Sequence, residues 1–238
     1  MNAELTGVSA ILAAAKDPQW FNNPVIQDQV LPATLETIYM TVVASIVAAL
    51  LGLPLGIWLH VTSPKGLSPQ VAVYRMLSLI IDIGRSIPFI ILMIALIPFT
   101  RFMVDTALGW YAAAVPLSVG AIPFFARLVE NALREVGLGK VEAAQMMGAS
   151  KRQIIRDVLY KEARPGIVGG LTITIVTLIA YTAMAGAVGG GGLGALAISY
   201  GYQRYQGDVM IVCIVLLVAL VAIVQFFGDR IARLIDHR

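Results

Sequence analysis

Few residues in this chain have the types and spacing that chemistry requires. The most suggestive pattern is the glycine run from Gly189 to Gly194, which formally fits the G-x-G-x-x-G fingerprint of dinucleotide-binding turns. That fingerprint needs a preceding strand, whereas here it follows a long apolar segment, so we interpret the glycines as sharp turns with close backbone contact. The sequence has no G-x-x-x-x-G-K-[ST] phosphate loop. Any use of ATP would therefore require a partner protein.

The other reactive side chains form no cluster along the sequence. The two histidines, His60 and His237, have no neighbouring ligands or catalytic partners, and the single cysteine, Cys213, lies in an apolar run. The net charge of +3 is small and is not gathered into a patch that nucleic acid would require. We therefore expect no enzyme activity, no metal, no cofactor held by this chain and no nucleic-acid partner.

The composition places the chain in a membrane. Of its 238 residues 58% are hydrophobic and only 13% are charged, and its mean hydropathy is +0.83. Several uncharged runs reach 20 residues or more, and a run of that length crosses about 30 Å of hydrocarbon as a helix. The sequence predicts an all-α integral membrane protein.

Five helical spans are predicted, at about 37–61, 76–99, 107–127, 166–188 and 208–228. Asp82 and Arg85 interrupt the second span, and their i, i+3 spacing would let them partly neutralise each other on one helical face. Either they line an aqueous route, or this half of the helix lies near the headgroups. Pro88 allows the second helix to bend or begin anew. The glycines at 189–192 should end the fourth helix.

Lysine and arginine in the connections predict the orientation, because cytoplasmic loops hold the excess of these residues. Thirteen of the 17 fall on one side and three on the other, with Arg85 inside a span. The amino terminus should therefore be outside, the carboxyl terminus and the charged segment 128–165 cytoplasmic. Residues 1–33 are predicted to be an external segment, and we assign them no function; residues 34–238 form the transmembrane domain. The external stretch at 199–208 suits either a docking site or an interfacial anchor.

The charged segment keeps apolar residues at helical spacing. From Arg127 to Arg164 there are 38 residues with 13 charges. Apolar positions recur at steps of three and four: Met146, Met147, Ile154, Ile155, Val158 and Leu159. This spacing predicts short amphipathic helices. Ala144 and Gly148 lie one turn apart and would let another backbone approach closely. The alternative is a helical hairpin that packs only on its own spans.

Within that segment the order Glu142-Ala143-Ala144, then Gly148, then Val158 resembles the EAA loop of ABC importer permeases. The chain departs from the family pattern at its end, where Lys161 stands in place of a proline. Three further stretches resemble the membrane subunit of the methionine-import ABC family: RSIPFIILMIALIPFTR (85–101), PFFARLVENALREV (123–136) and YTAMAGAVGGGGLG (181–194).

The resemblance implies a homodimer in the bacterial inner membrane, two cytoplasmic ABC ATPase chains that bind ATP and Mg, and an external substrate-binding lipoprotein. It implies that Glu142, Ala143, Ala144 and Gly148 couple the ATPase to the membrane domain. It also implies inward transport of D- and L-methionine by alternating access. A permease for another amino acid and an ion-coupled secondary transporter remain alternatives, although five spans divide poorly into the paired repeats of the latter.

The fourth span carries the remaining candidate residues. Small residues four apart let membrane helices approach closely, either between two chains or within one. Two such pairs occur: Gly166 with Gly170, and Gly186 with Gly190. The resemblance implies that two copies of this span flank the passage, where Met184 would serve as the gate with Tyr181 on the same face. Ordinary packing is the alternative for both side chains.

Overall fold

The computed structural model describes residues 22–236, and over that range every regular element is a helix. The helices are α1 (Pro24–Thr62), α2 (Val71–Ser86), α3 (Phe89–Ala95), α4 (Ile97–Val104), α5 (Trp110–Arg134), α6 (Leu138–Met146), α7 (Lys151–Ala187), α8 (Gly192–Leu196) and α9 (Gly207–Ile235). Two π-helical stretches occur, Ile154–Leu159 within α7 and Ala197–Tyr202 after α8. Among the described residues α1, α5, α7 and α9 are long and apolar enough to cross a membrane, and the bent pair α2–α3 makes five if it is one span.

Helix α5 lies at the centre of the bundle. Its side chains Leu117, Phe125 and Val129 are fully or almost fully buried, and they share one apolar core with Met40 of α1 and Leu178 of α7. By contrast, α9 buries few of its residues, so most of its apolar surface faces outward. That distribution is expected of a helix at the edge of a membrane bundle.

The first helix begins earlier than the sequence predicted. The Asn23 side chain accepts a hydrogen bond from the Val25 amide at 2.9 Å, and Pro24 occupies the first helical position, two features that favour a helix start. Positions 24–33, assigned to the external segment, therefore belong to α1. Residues 1–21 of that predicted segment lie outside the described range.

Polar side chains inside α1 donate their hydrogen bonds to the backbone of the same helix. The hydroxyls of Thr37, Thr41 and Ser45 donate to the carbonyl four residues earlier at 3.0, 2.8 and 2.6 Å. In a hydrocarbon environment no water is present to replace such bonds. These residues can therefore lie in a membrane helix without an interhelical partner.

The predicted second span is two helices and not one. Helices α2 and α3 are bent by 100° at the break between Ser86 and Phe89. Pro88 lacks an N–H group and disfavours helical geometry at the residue before it, which explains why the break falls here. The bend that Pro88 was expected to allow is confirmed.

The fourth helix starts fifteen residues before the predicted boundary, at Lys151 instead of Gly166. Ser150 caps it, with a reciprocal bond to Gln153 in a capping box. The sequence boundary marked where charge ends, but the helix continues through the charged part. Its other end, at Ala187, agrees with the glycine cluster that was expected to stop it.

Candidate functional site

The predicted coupling residues lie on a short helix and the turn after it. Helix α6 carries Glu142 and Ala143 on its exposed side, while Ala144 is buried against the bundle. The turn at 147–150 then leads into α7. The α6–α7 hairpin, residues 138–159, therefore comprises one short helix and the first turns of a long one, whereas the spacing had predicted only short amphipathic helices.

Gly148 is required by the turn itself. Its φ is +79°, and the Gly148 and Ala149 amides donate to the Gln145 and Ala144 carbonyls at 2.9 and 3.1 Å. This pair of bonds is the Schellman arrangement that ends many helices and favours glycine. A Cβ at Gly148 would meet no atom of this chain within 4 Å. Ala144 and Gly148 therefore do not form one close-approach surface: the alanine is buried within the chain, and the glycine faces open space.

The tip of the hairpin is apolar and exposed. Met146 and Met147 are 90% and 81% exposed, and at the other end of α6 Leu138 is 62% exposed. Ile154 and Leu159, which the spacing placed on the same face as the methionines, are instead buried against the bundle. The apolar positions therefore divide into a set that holds the hairpin in place and a tip that faces outward.

Polar contacts fasten the hairpin to the bundle. Lys140 of α6 pairs with Glu162 of α7. Lys151 donates to the Ser68 hydroxyl in the α1–α2 connection at 2.7 Å. The first contact joins the two helices of the hairpin to each other, and the second joins the start of α7 to the α1–α2 connection.

Glu130 is a fully buried acid that sequence reasoning did not identify. It pairs with Arg127 and Arg134 on the same helix, and Tyr74 of α2 donates to it at 3.4 Å. Arg127 also pairs with Asp82 of α2 at 2.9 Å, so the network ties α2 to α5. The Arg-x-x-Glu-x-x-x-Arg spacing was the available signal, because residues three and four apart meet on one helical face.

Asp82 therefore does not neutralise Arg85 as its spacing suggested. Its carboxylate faces Arg127 of α5. Within residues 22–236 Arg85 has no ion pair or hydrogen bond.

Tyr181 and Met184 have different surroundings. Tyr181 is half-buried and stacks on Phe89 of α3, with ring centroids 4.4 Å apart. Met184 is 38% exposed, on the outward side of α7. Of the two, Met184 is the side chain available to a second copy or to a passage.

The four glycines of the fourth span all contact elements of their own chain. An added Cβ would meet Ala132 at Gly166 and Leu128 at Gly170, at 3.0 and 3.1 Å, both on α5. The other pair lies near the turn after α7: Gly186 faces the backbone of Gly194 and Ala195, and Gly190 faces Ala113. The close approach predicted at these positions is therefore made within one chain.

The glycine turn after α7 is closed by α1. The Glu36 carboxylate accepts from the Gly192 amide at 2.7 Å, and the Thr37 hydroxyl accepts from the Leu193 amide at 2.9 Å. These are the amides at the start of α8, where a nucleotide-binding turn would hold phosphate. A carboxylate and a hydroxyl of α1 already accept from these amides, which supports the interpretation of the run as a turn.

The same end of the bundle carries further cross-links. Asn23 donates to the Asp208 carboxylate at 2.8 Å, Gln29 donates to the Tyr200 hydroxyl at 3.0 Å, and Arg204 lies over the Tyr200 ring. The first two contacts join the start of α1 to the first turn of α9 and to the π-helical segment before it. Tyr205 remains 78% exposed beside them.

The comparisons with known proteins agree with this architecture. The family described as "Binding-protein-dependent transport system inner membrane component" matches residues 52–238. The chain belongs to this family. It is therefore a transport component of an inner membrane, and the expectation of a multi-pass membrane protein is confirmed.

Individual relatives match over most of their length. The chain is 52% identical over 220 residues to the probable D-methionine transport system permease protein MetI of Vibrio cholerae, covering 92% of this chain and 97% of that one. It is 51% identical over 203 residues to the D-methionine transport system permease protein MetI of Escherichia coli, covering 85% and 94%.

Solved structures share the fold. A chain of the MetNI methionine ABC transporter in inward-facing conformations superposes with a TM-score of 0.87 at 49% identity, covering 90% of this chain and 99% of that chain. A chain of an amino acid ABC transporter superposes with a TM-score of 0.74 at 16% identity, covering 90% and 97%. At that low identity the second likeness concerns the fold alone.

Proposed function

We propose that this chain is the permease subunit of an ATP-driven importer that carries methionine, in D and L forms, into the cell. The observation that carries the proposal is its 49% identity and 0.87 TM-score to a chain of a methionine ABC transporter over nearly all of that chain. The working unit is a homodimer of this chain with two cytoplasmic ATPase subunits, which bind ATP and Mg, and an external substrate-binding lipoprotein. The amino terminus lies outside and the carboxyl terminus in the cytoplasm.

The α6–α7 hairpin is the docking site for the ATPase. Its tip offers an exposed apolar surface at Met146 and Met147, and flexible thioethers adapt well to a partner groove. Glu142 and Ala143 are exposed beside it, and open space surrounds Gly148. A single-chain role would leave this apolar tip in water, whereas docking buries it.

Helix α7 carries the motion inward. It runs without interruption from Lys151 to Ala187, 37 residues, and a helix of that length extends about 55 Å. The docking turn therefore lies at one end of the element that carries Tyr181 and Met184 near its other end. In the homodimer the exposed side of α7 faces its partner copy, and Met184 closes the passage between them.

Transport follows alternating access. ATP binding closes the two ATPase subunits, the hairpins move with them, and the passage changes from inward-facing to outward-facing. ATP shifts this balance only by its differential affinity for the two states. Hydrolysis and release of products return the dimer to the inward-facing state.

Reconstitution tests the proposal. The chain should co-purify with an ABC ATPase, and proteoliposomes that hold the complex and its binding protein should accumulate labelled methionine only with ATP. Unlabelled D- and L-methionine should compete, and unrelated amino acids should not. Accumulation by the chain without any ATPase would contradict the proposal.

A further inference from the structure

A groove runs along the lateral surface of the bundle between α1, α7 and α9. It has a volume of about 500 Å³, and all three helices are long and apolar enough to cross a membrane. Apolar side chains from each helix line it, among them Val42 and Ile46 of α1, Leu171 and Ile175 of α7, and Ile223 and Val224 of α9. Val42, Ile46 and Ile223 are each about half exposed, at 47%, 53% and 53%. The groove therefore opens at the surface of the chain, toward the bilayer.

The lining of the groove suits hydrocarbon. Its polar side chains are Thr37, Thr41 and Ser45, and their hydroxyls all donate to the backbone of their own helix. A buried water needs two to four polar partners and takes about 30 Å³, so waters would fill this space with few hydrogen bonds. An acyl chain needs no such partners.

The groove faces away from the second copy of the chain in the proposed dimer. Ile175 stands nine residues before Met184, which is two and a half helical turns, so the two side chains lie on opposite sides of α7. The proposed dimer places the Met184 side of α7 against its partner. The groove side of α7 is then left to the lipid.

An arginine lies on the same face of α9 as the groove. Arg230 is exposed and stands seven residues, about two turns, after the lining residue Ile223. Two residues before it, Gly228 packs against Thr172, the neighbour of the lining residue Leu171. Arg230 therefore lies near the end of the groove that is closest to the start of α7.

The guanidinium of Arg230 is available to a ligand. Within residues 22–236 it has no ion pair or hydrogen bond. Its neighbour Asp229 accepts a hydrogen bond from Gln225 at 3.1 Å. Guanidinium groups match the geometry of phosphate, and a long arginine side chain can extend to the headgroup level while its stem stays on apolar surface. Basic side chains beside crevices between membrane helices bind lipid headgroups on the cytoplasmic side.

We propose that the groove between α1, α7 and α9 holds a phospholipid of the cytoplasmic leaflet, with one acyl chain along the groove and its phosphate at Arg230. This inference rests on the proposed function, because the proposed dimer and orientation place the groove toward lipid and Arg230 at the cytoplasmic side. The lipid would contact α7 on the side opposite Met184.

Photolabelling tests the acyl chain. The purified complex of this chain with its ATPase is placed in phosphatidylcholine nanodiscs that contain phosphatidylglycerol with a diazirine in one acyl chain. Illumination should label residues 42–49 and 171–179 more than the opposite side of α9 at Ile214, which is 51% exposed. Ile46→Trp fills the groove and should remove most of this labelling. Ile214→Trp, the matched control, should leave it intact.

A probe without phosphate tests the headgroup contact. Diacylglycerol with the same diazirine chain should label the groove about fivefold less, since one arginine near the membrane surface contributes about 1 kcal/mol to anionic lipid binding. Arg230→Gln should reduce labelling by the phosphatidylglycerol probe to the same level, and Arg230→Lys should keep most of it. Arg75→Gln, on exposed α2, should change nothing.

Three results would overturn the inference: labelling of the groove no greater than at Ile214, labelling that Ile46→Trp leaves unchanged, or equal labelling by diacylglycerol with Arg230 present. A disulfide-linked dimer in oxidised Cys213→Ala, Ile175→Cys chains would also overturn it, because the second copy would then cover the groove. Uptake in proteoliposomes separates this from the transport function. No ATP-driven uptake by the unaltered complex defeats the proposed function, whereas normal methionine uptake without preferential groove labelling defeats the lipid site alone.

Discussion

The turns before and after α7 each contain a glycine at positive φ, but one glycine faces open space and the other is tightly packed. Gly148 before the helix and Gly192 after it have φ values of +79° and +75°. A Cβ at Gly148 would meet nothing within 4 Å, whereas one at Gly192 would lie 2.7 Å from the Thr37 hydroxyl and 2.9 Å from Met40. The first turn leaves room for a partner, and the second is filled by its own chain. The turn before α7 is therefore open, and the turn after it is packed against α1.

The strongest test of the fixed turn is Gly192→Val. A side chain there collides with Thr37 and Met40 and also strains a backbone at positive φ, so we expect a loss of about 3 kcal/mol or more of stability. Yield of monodisperse protein and its thermal unfolding in detergent measure this effect. An unchanged unfolding temperature would show that the turn after α7 is not fixed.

Gly148→Trp tests the open turn. The residue has space but an unfavourable φ, so we expect about 1 to 2 kcal/mol of strain, with a protein that still folds and inserts. The bulky ring should block docking and abolish ATP hydrolysis coupled to transport. The matched control is Gly148→Asn, which tolerates positive φ with a small side chain and should retain most activity. Normal ATP-driven uptake by the tryptophan variant would contradict the docking site.

Much of the helical framework could be predicted because it follows from local composition. The uncharged runs predicted the amino-terminal ends of α5 and α9 to within a few residues, and Pro88 predicted the break between α2 and α3. The start of α7 could not be found in this way. Charge marks where the membrane ends, while Ser150 and Gln153 determine where the helix begins.

Contacts between distant segments were beyond sequence reasoning for a different reason. Arg85 is the cation near Asp82 in the sequence, whereas Arg127 is far from it in the sequence. Only the packing of α2 against α5 brings Arg127 to Asp82. Likewise, Glu36 is a single acid near the start of a predicted span, and nothing local indicates that it meets the Gly192 amide. The glycine run could be located from the sequence, but the carboxylate that accepts from its Gly192 amide could not.

Replacing both tip methionines by glutamate, Met146→Glu with Met147→Glu, tests whether the open turn before α7 is the docking surface. These side chains are exposed, so stability should hardly change, while burial of two charges in an apolar interface should weaken ATPase binding about tenfold or more. Affinity measured with purified ATPase checks this. The double leucine variant keeps the apolar surface and should bind normally. Equal affinity of the glutamate variant would place the docking surface elsewhere.

The smallest effect is expected at the ion pair that holds α6 to α7. Lys140 and Glu162 are both partly exposed, and such pairs contribute about 1 kcal/mol or less. Lys140→Gln should therefore change the unfolding temperature by little and leave uptake almost normal. A loss of coupling as large as that of Gly148→Trp would mean that this pair, and not the tip, transmits the motion.

Photocrosslinking from the two ends tests the central claim, that motion of an ATPase enters through the α6–α7 hairpin. A photoreactive amino acid at Met147, in cells that hold the whole importer, should crosslink to the ATPase subunit, and one at the exposed Tyr205 should not. We predict that the Met147 crosslink changes in yield when ATP is trapped by vanadate. A Met147 site that crosslinks only to external proteins, or that is labelled from outside the cell, would contradict the account.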